Sequence, residues 1–189
     1  VYETSLAYLA LVGVSTDATV LGSAVSYLTT TQSVNGSWND DPYSTALAIR
    51  ALANVKPNLS ISSSDIVFSK TMPAVGETIT ITAILKNTGP AQADNVIVQF
   101  YDGDPFSGGI LINETTILSI PSYSNTSIAV SYAGQTASSH KIYVKTDPLN
   151  AIDEITEADN TTAKNLWIAT GPDLAVYSED LKPSTFVPA

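Results

Sequence analysis

Two runs between Thr78 and Phe100 place apolar residues on every second position. Ile79, Ile81 and Leu85 alternate with Thr78, Thr80 and Thr82, the period of a strand with one buried face. Asn87-Thr88-Gly89-Pro90 breaks the run with turn-forming residues. Val96, Val98 and Phe100 resume it, leaving Ile97, Gln99 and Tyr101 on the other face. Two strands, each with one apolar face, need a second layer to cover them.

Similar short runs continue as far as Thr170, separated by turn clusters, which is the pattern of an all-β domain. It predicts seven strands: Asn58–Phe68, Thr78–Asn87, Asp94–Tyr101, Gly109–Ile120, Ser124–Tyr132, Ser139–Thr146 and Thr162–Thr170. The inward set is Leu59, Ile61, Ile79, Ile81, Leu85, Val96, Val98, Phe100, Ile128, Val130, Tyr132, Ile142, Val144, Leu166 and Ile168. Number and spacing fit an immunoglobulin-like seven-stranded antiparallel β-sandwich. The chain has no cysteine, so apolar packing alone must hold the sheets together.

Before Pro57 the pattern is helical, so the fold class is multidomain, α then β. Tyr2–Val14 aligns without gaps on Tyr43–Val55 at a shift of 41 residues, an internal repeat. Both copies are apolar nearly all round, which predicts burial on most sides. Asp41 can cap the second copy, with Pro42 in its first turn. Between them, Asp17 to Thr31 reads as an amphipathic helix with Leu21, Ala24, Val25 and Leu28 on one face and Asp17 as its cap. The connecting Gln32-Ser33-Val34-Asn35-Gly36-Ser37-Trp38 resembles the loop of the prenyltransferase and squalene-oxidase repeat, with Gln32, Gly36 and Trp38 at its motif positions. That resemblance implies a glutamine capping a neighbouring helix, a tryptophan stacked across the loop, and a fragment of an α/α toroid. Cyclases of that superfamily use an acidic DxDD motif. Asn39-Asp40-Asp41-Pro42 departs from it, and Asp41 is read as a cap.

The net charge of −10 argues against nucleic acid and acidic lipid as partners. The lack of cysteine also removes thiolate metal sites. No apolar run is long enough to span a bilayer, so no membrane insertion is expected. The chain begins at Val1 and has a single methionine, Met72, so a longer parent protein is expected. Asn-x-Ser/Thr sequons at Asn35, Asn58, Asn113, Asn125 and Asn160 would mark exposed loops in a secreted chain.

A second repeat places Pro57–Ile66 on Pro172–Leu181 at a shift of 115 residues. The expected organisation is a toroid-repeat fragment over 1–56, a sandwich over 57–170, and the first strand of a further sandwich over 171–189. Pro57-Asn58-Leu59, Gly76-Glu77, Lys86-Asn87-Thr88-Gly89, Val98–Gly103, Asp147–Glu154 and Glu157-Ala158-Asp159-Asn160 together resemble the CARDB family, the cell-adhesion-related domain of bacteria and archaea. The resemblance implies a non-catalytic structural or adhesion-type module of an extracellular or cell-surface protein, with a protein or cell-surface glycan as partner. Self-association through the 172–189 strand is a further expectation. The alternative is an appendage of an α/α-toroid enzyme or small-molecule binder, isoprenoid-cyclase-like or cobalamin-carrier-like. No catalytic or cofactor-binding constellation is visible.

Asp147, Asn150, Asp153, Glu154, Glu157 and Asp159, with Asn160, crowd one stretch. Such hard oxygen ligands suit calcium, although the spacing is not that of an EF-hand. The competing reading, preferred here, is a polar loop whose side chains tie down their own backbone, with Ile152 and Ile155 plugging the sandwich. Asp102-Gly103-Asp104-Pro105 reads as a turn. His140, the one histidine, is expected at the surface without an acid–base partner.

Overall fold

The computed structural model describes residues 1–12, 14 and 17–171. The 172–189 repeat, and the self-association expected of it, lie outside the described residues. Three short helices precede an antiparallel β-sandwich: α1 (Tyr2–Leu11), α2 (Ala18–Thr30), α3 (Pro42–Leu52), then β1 (Leu59–Ser60), β2 (Ile66–Phe68), β3 (Ile79–Asn87), β4 (Ala93–Asp102), β5 (Ile110–Ile120), β6 (Ser124–Tyr132), β7 (Ser139–Thr146) and β8 (Thr161–Trp167).

β3 lies at the centre of one sheet. It pairs with β6 along its whole length, from Ile79↔Tyr132 to Asn87↔Ser124, without a register shift. Its other edge takes both β1 and β2. The second sheet runs β5-β4-β7-β8. The expected first strand is therefore two pieces laid end to end on one edge. Ser62 and Asp65 break it: the Ser62 N–H and hydroxyl both donate to Asp65 Oδ2, closing a 3₁₀ turn over Ser63–Asp65. A side chain that satisfies a backbone N–H locally competes with the sheet ladder. The last strand ends at Trp167, three residues earlier than expected. Ala169 then turns to the opposite sheet, donating its N–H to the Pro73 carbonyl and accepting from the Val75 N–H.

Every predicted inward residue belongs to the sandwich core. Ile128 is only partly buried, and Ile66, Ala83, Ala93 and Ile120 join the set. Fully burying an aliphatic or phenyl side chain such as Leu59, Val98 or Phe100 stabilises by about 1.5–3 kcal/mol each. That term holds the two layers together without a disulfide.

The helices have their own small core of Tyr8, Leu21, Leu28, Trp38, Ala48 and Ala51. Asp17 accepts from the Thr19 and Val20 N–H groups, and Asp41 from those of Tyr43 and Ser44, so both caps act as the sequence predicts. The expectation of burial on most sides is not met. α1 buries Ser5 and Tyr8, while Tyr2, Leu6, Tyr43 and Ile49 stay exposed, because three helices cover each other on too few faces. Tyr2 and Tyr43, equivalent positions of the 41-residue repeat, stack with ring centroids 5.6 Å apart.

The helices meet the sandwich at the pole formed by the end of β3, the β5–β6 turn and the loop after β7. Tyr123, in that turn at φ +51°, packs against the helical core. The linker from α3 crosses directly over Gly89: a Cβ there would stand 2.4 Å from the Lys56 carbonyl oxygen and 2.5 Å from the Asn58 nitrogen. Backbone on both sides of the clash cannot yield cheaply. Gly89→Ala is expected to lower unfolding stability by about 1–3 kcal/mol, read as a reduced urea midpoint with unchanged m-value.

Candidate functional site

The polar residues that the sequence groups into separate motifs converge on this pole. After β7 the chain turns sharply at Asp147, which has φ +39°. Its N–H donates to the Ile97 carbonyl, and its carboxylate accepts from the Ala151 and Ile152 N–H groups at 3.0 and 2.8 Å. That coil seats Ile152 against the core. Ile155 stays 38 % exposed and lines a 270 Å³ cavity with Val12, Leu21, Thr88, Tyr123 and Asp159.

Glu154 reaches under the first strand. Its Oε2 accepts from the Leu59 N–H at 2.5 Å and its Oε1 from Asn160 Nδ2 at 2.8 Å. Asn58 works in the reverse direction. Its Oδ1 accepts from the Thr156 N–H, and its Nδ2 donates to Thr88 Oγ1 and Asp159 Oδ2. Asn87, 1 % exposed, is the hub. Its Oδ1 accepts from the Asn58 and Gly89 N–H groups, and its Nδ2 donates to the carbonyls of Ala91, Ile120 and Pro121. Sequence reading placed Asn58 and Asn87 in motifs without giving them these roles. The signal available was an asparagine beside an obligate glycine at a strand end.

Of the six loop residues suggested as cation ligands, the fold brings three together. Asp147, Glu154 and Glu157 each offer one carboxylate oxygen, all within 4.8 Å of one another, the first two buried and Glu157 exposed. Asp153 is not among them: it is exposed and paired with Lys56 Nζ at 2.6 Å. Asn150 is exposed in the turn, at φ +48°. Asp159 binds Asn58 through Oδ2, while its Oδ1 is buried without a partner. Burial pushes the Glu154 carboxyl up to about 7, against the lowering effect of the Leu59 and Asn160 hydrogen bonds, and the nearby Glu157 and Asp147 charges raise it further. Asn58 and Asn160 are also sequons, but both are buried and hydrogen-bonded, whereas Asn35, Asn113 and Asn125 are exposed.

In the helical unit Trp38 is buried, and its indole N–H donates to the Leu28 carbonyl at 2.7 Å. Gln32 Nε2 donates to Gly36 O at 3.0 Å within its own loop. It does not cap a neighbouring helix, as the repeat resemblance had implied.

At the far pole His140 has partners that the sequence did not suggest. Half-buried, it places Nδ1 2.8 Å from Asp102 Oδ2, which also accepts the Tyr132 hydroxyl at 2.7 Å. Ser138 Oγ lies 3.2 Å from Nε2, giving a superficial Asp–His–Ser line. The Thr136 carbonyl, which can only accept, is closer to Nε2, at 2.9 Å. That carbonyl competes with the Ser138 hydroxyl for the same ring nitrogen.

Two sheets with a first strand split along one edge, joined by a polar knot at one pole, define an immunoglobulin-like module. The CARDB family model matches residues 56–164. The chain belongs to the CARDB family, a surface- and adhesion-related group of modules. The CARDB domain of a Pyrococcus furiosus protein, crystallised in complex with di-metal ions, is 17% identical. It covers 60% of this chain and 90% of that one, with a TM-score of 0.52, a likeness of fold. The same domain determined in solution is 18% identical over 60% and 96% of the two chains, TM-score 0.52. A Geobacter metallireducens protein is 32% identical over 53% and 88%, TM-score 0.45. No curated protein matches the chain.

The raised Glu154 carboxyl carries a pH signature. Folding favours its protonated form, so its contribution to stability is fully present below the ordinary glutamate range and is lost as pH rises toward about 7. In a metal chelator, the urea midpoint of Glu154→Gln should therefore gain on that of the native chain between pH 5 and pH 8. Parallel midpoints across that window would show that the burial of Glu154 is inconsequential.

Proposed function

We propose that this chain is a non-catalytic structural and binding module of an extracellular or surface-anchored protein, its sandwich serving as a rigid spacer and contact surface. The observation that carries this reading is how the polar side chains at the two poles are used. At the helical pole they hold backbone, from Asn87 to Glu154. At the far pole His140 is spent between Asp102 and the Thr136 carbonyl. There the Thr136 carbonyl competes with Ser138 for the nearer histidine nitrogen. Membership of the CARDB family supports the surface setting. No helix among the described residues is long and apolar enough to cross a membrane. The partner is a surface protein or glycan, met on the exposed strand faces and edges.

The second reading, an appendage of an α/α-toroid protein, has one observation in its favour: the Tyr2–Tyr43 stack joins equivalent positions of the helical repeat, as stacked repeats do.

Incubation with an activated ester and a fluorophosphonate probe is expected to give no labelling at Ser138. Incubation with squalene or prenyl diphosphates is expected to give no product. Labelling that Ser138→Ala abolishes, or turnover of an isoprenoid, would overturn the non-catalytic reading.

A further inference from the structure

The outer face of the β5-β4-β7-β8 sheet brings aromatic rings and unpaired cations together. Along β7 the core takes Ile142, Val144 and Thr146, so Lys141, Tyr143 and Lys145 point outward. Tyr101 of β4 lies beside Tyr143, and Trp167 of β8 lies beside Ser139. Tyr143 and Trp167 are therefore on neighbouring strands, separated by four residues, or about 13 Å, along them. Trp167 is 54 % exposed, and Phe106, between β4 and β5, is 72 % exposed. The Lys145 ammonium stands 4.7 Å from the centre of the Phe106 ring, and that of Lys141 5.1 Å from the centre of the Tyr143 ring. Among the described lysines only these two have no oxygen partner. Lys56, Lys70 and Lys86 hold carboxylates, and Lys164 holds the Ile66 carbonyl. The Tyr101 hydroxyl is fixed by Gln99 Oε1, and the Gln99 amide donates to Glu114 of β5, which occupies that carboxylate.

We infer that this sheet face binds a uronic-acid polysaccharide, with sugar rings stacked on Trp167 and Tyr143 and sugar carboxylates held by Lys141 and Lys145. The inference rests on the reading of the chain as a non-catalytic surface module and names that module's partner. The C–H face of a pyranose is apolar and slightly positive, and the face of an aromatic ring is negative, so the two attract. The chain as a whole carries a charge of −10 and repels polyanions at long range. On this face, however, two ammonium groups rest on rings and not on carboxylates. Exposed contacts of that kind are weak, so an incoming carboxylate takes the lysines without breaking a salt bridge. A neutral glycan leaves both lysines without partners. An acidic peptide offers carboxylates without flat rings to cover Trp167. An anionic bilayer calls for a cluster of several basic residues, and this face has two.

The test is binding of the full chain, in EDTA, to polygalacturonate, alginate and hyaluronan, with dextran, polyglutamate and phosphatidylglycerol vesicles as comparisons. The expected result is saturable binding to at least one uronate polymer, tighter than to any comparison and weakened by salt. The bound polymer should also shield tryptophan fluorescence from acrylamide. Trp38 is already buried, so the shielding reports Trp167. Trp167→Ala and Lys141→Ala, both exposed changes, should keep the native Tm and weaken binding about tenfold or more. Lys70→Ala removes the same charge beside β2, on the other sheet, and should bind as the native chain does. Binding to none of the three uronates would overturn the inference. So would equal binding to dextran, polyglutamate or the vesicles, or equal weakening by Lys70→Ala and Lys141→Ala. Those outcomes leave the non-catalytic reading standing. New reducing ends on the polymer would overturn that reading and this inference with it.

Discussion

The side chain of Asn87 sets the terms for one whole pole of this molecule. A sandwich of two twisted sheets leaves its strand ends with N–H and C=O groups that no ladder satisfies, and buried groups of that kind must find partners. Here one amide serves five of them: the N–H groups of Asn58 and Gly89 and the carbonyls of Ala91, Ile120 and Pro121. Those groups belong to the incoming linker, the β3–β4 turn and the β5–β6 turn. Gly89 lets the linker lie close enough for this to happen. Glu154 completes the arrangement by taking the Leu59 N–H, so the short β1 is held from beneath by a side chain as well as from its edge by β3.

The same pole carries the helices. Tyr123, held in the left-handed region by the turn Asn87 helps to close, offers its ring to the helical core. Lys56, in the linker, binds Asp153 of the loop after β7. The exposed ion pair adds little energy by itself. The attachment rests mainly on packing around Tyr123 and on the backbone hydrogen bonds between Pro57 and Ile155 and between Lys56 and Ala91.

What the sequence disclosed follows from what each physical effect writes into it. Period-two alternation names a strand's buried face directly, so the inward positions from Leu59 to Ile168 could be read off. The break in the first strand could not, because Ile61 and Ile66 keep an apolar rhythm while Ser62 and Asp65 divert the backbone through side-chain bonds. Composition marked the loop after β7 as oxygen-rich. Only the tight turn at Asp147, folding the chain back so that Glu154 meets Asn160, decided that Glu157 belongs with the cluster and Asp153 with Lys56. His140 was misjudged for a related reason: its partner Asp102 lies on another strand, a neighbour only through the β4–β7 pairing of Asp102 with Ile142.

The strand directions have a mechanical consequence. β1 and β2 run away from the helical pole, since Leu59 sits beside Asn87 and Phe68 beside Ile81. β8 runs the same way, from Thr161 beside Lys145 to Trp167 beside Ser139. The chain thus enters the sandwich at one end and leaves it at the other. Tension applied between those two ends would pull the terminal strands lengthwise against β3 and β7, loading their hydrogen bonds together in shear instead of peeling them one by one.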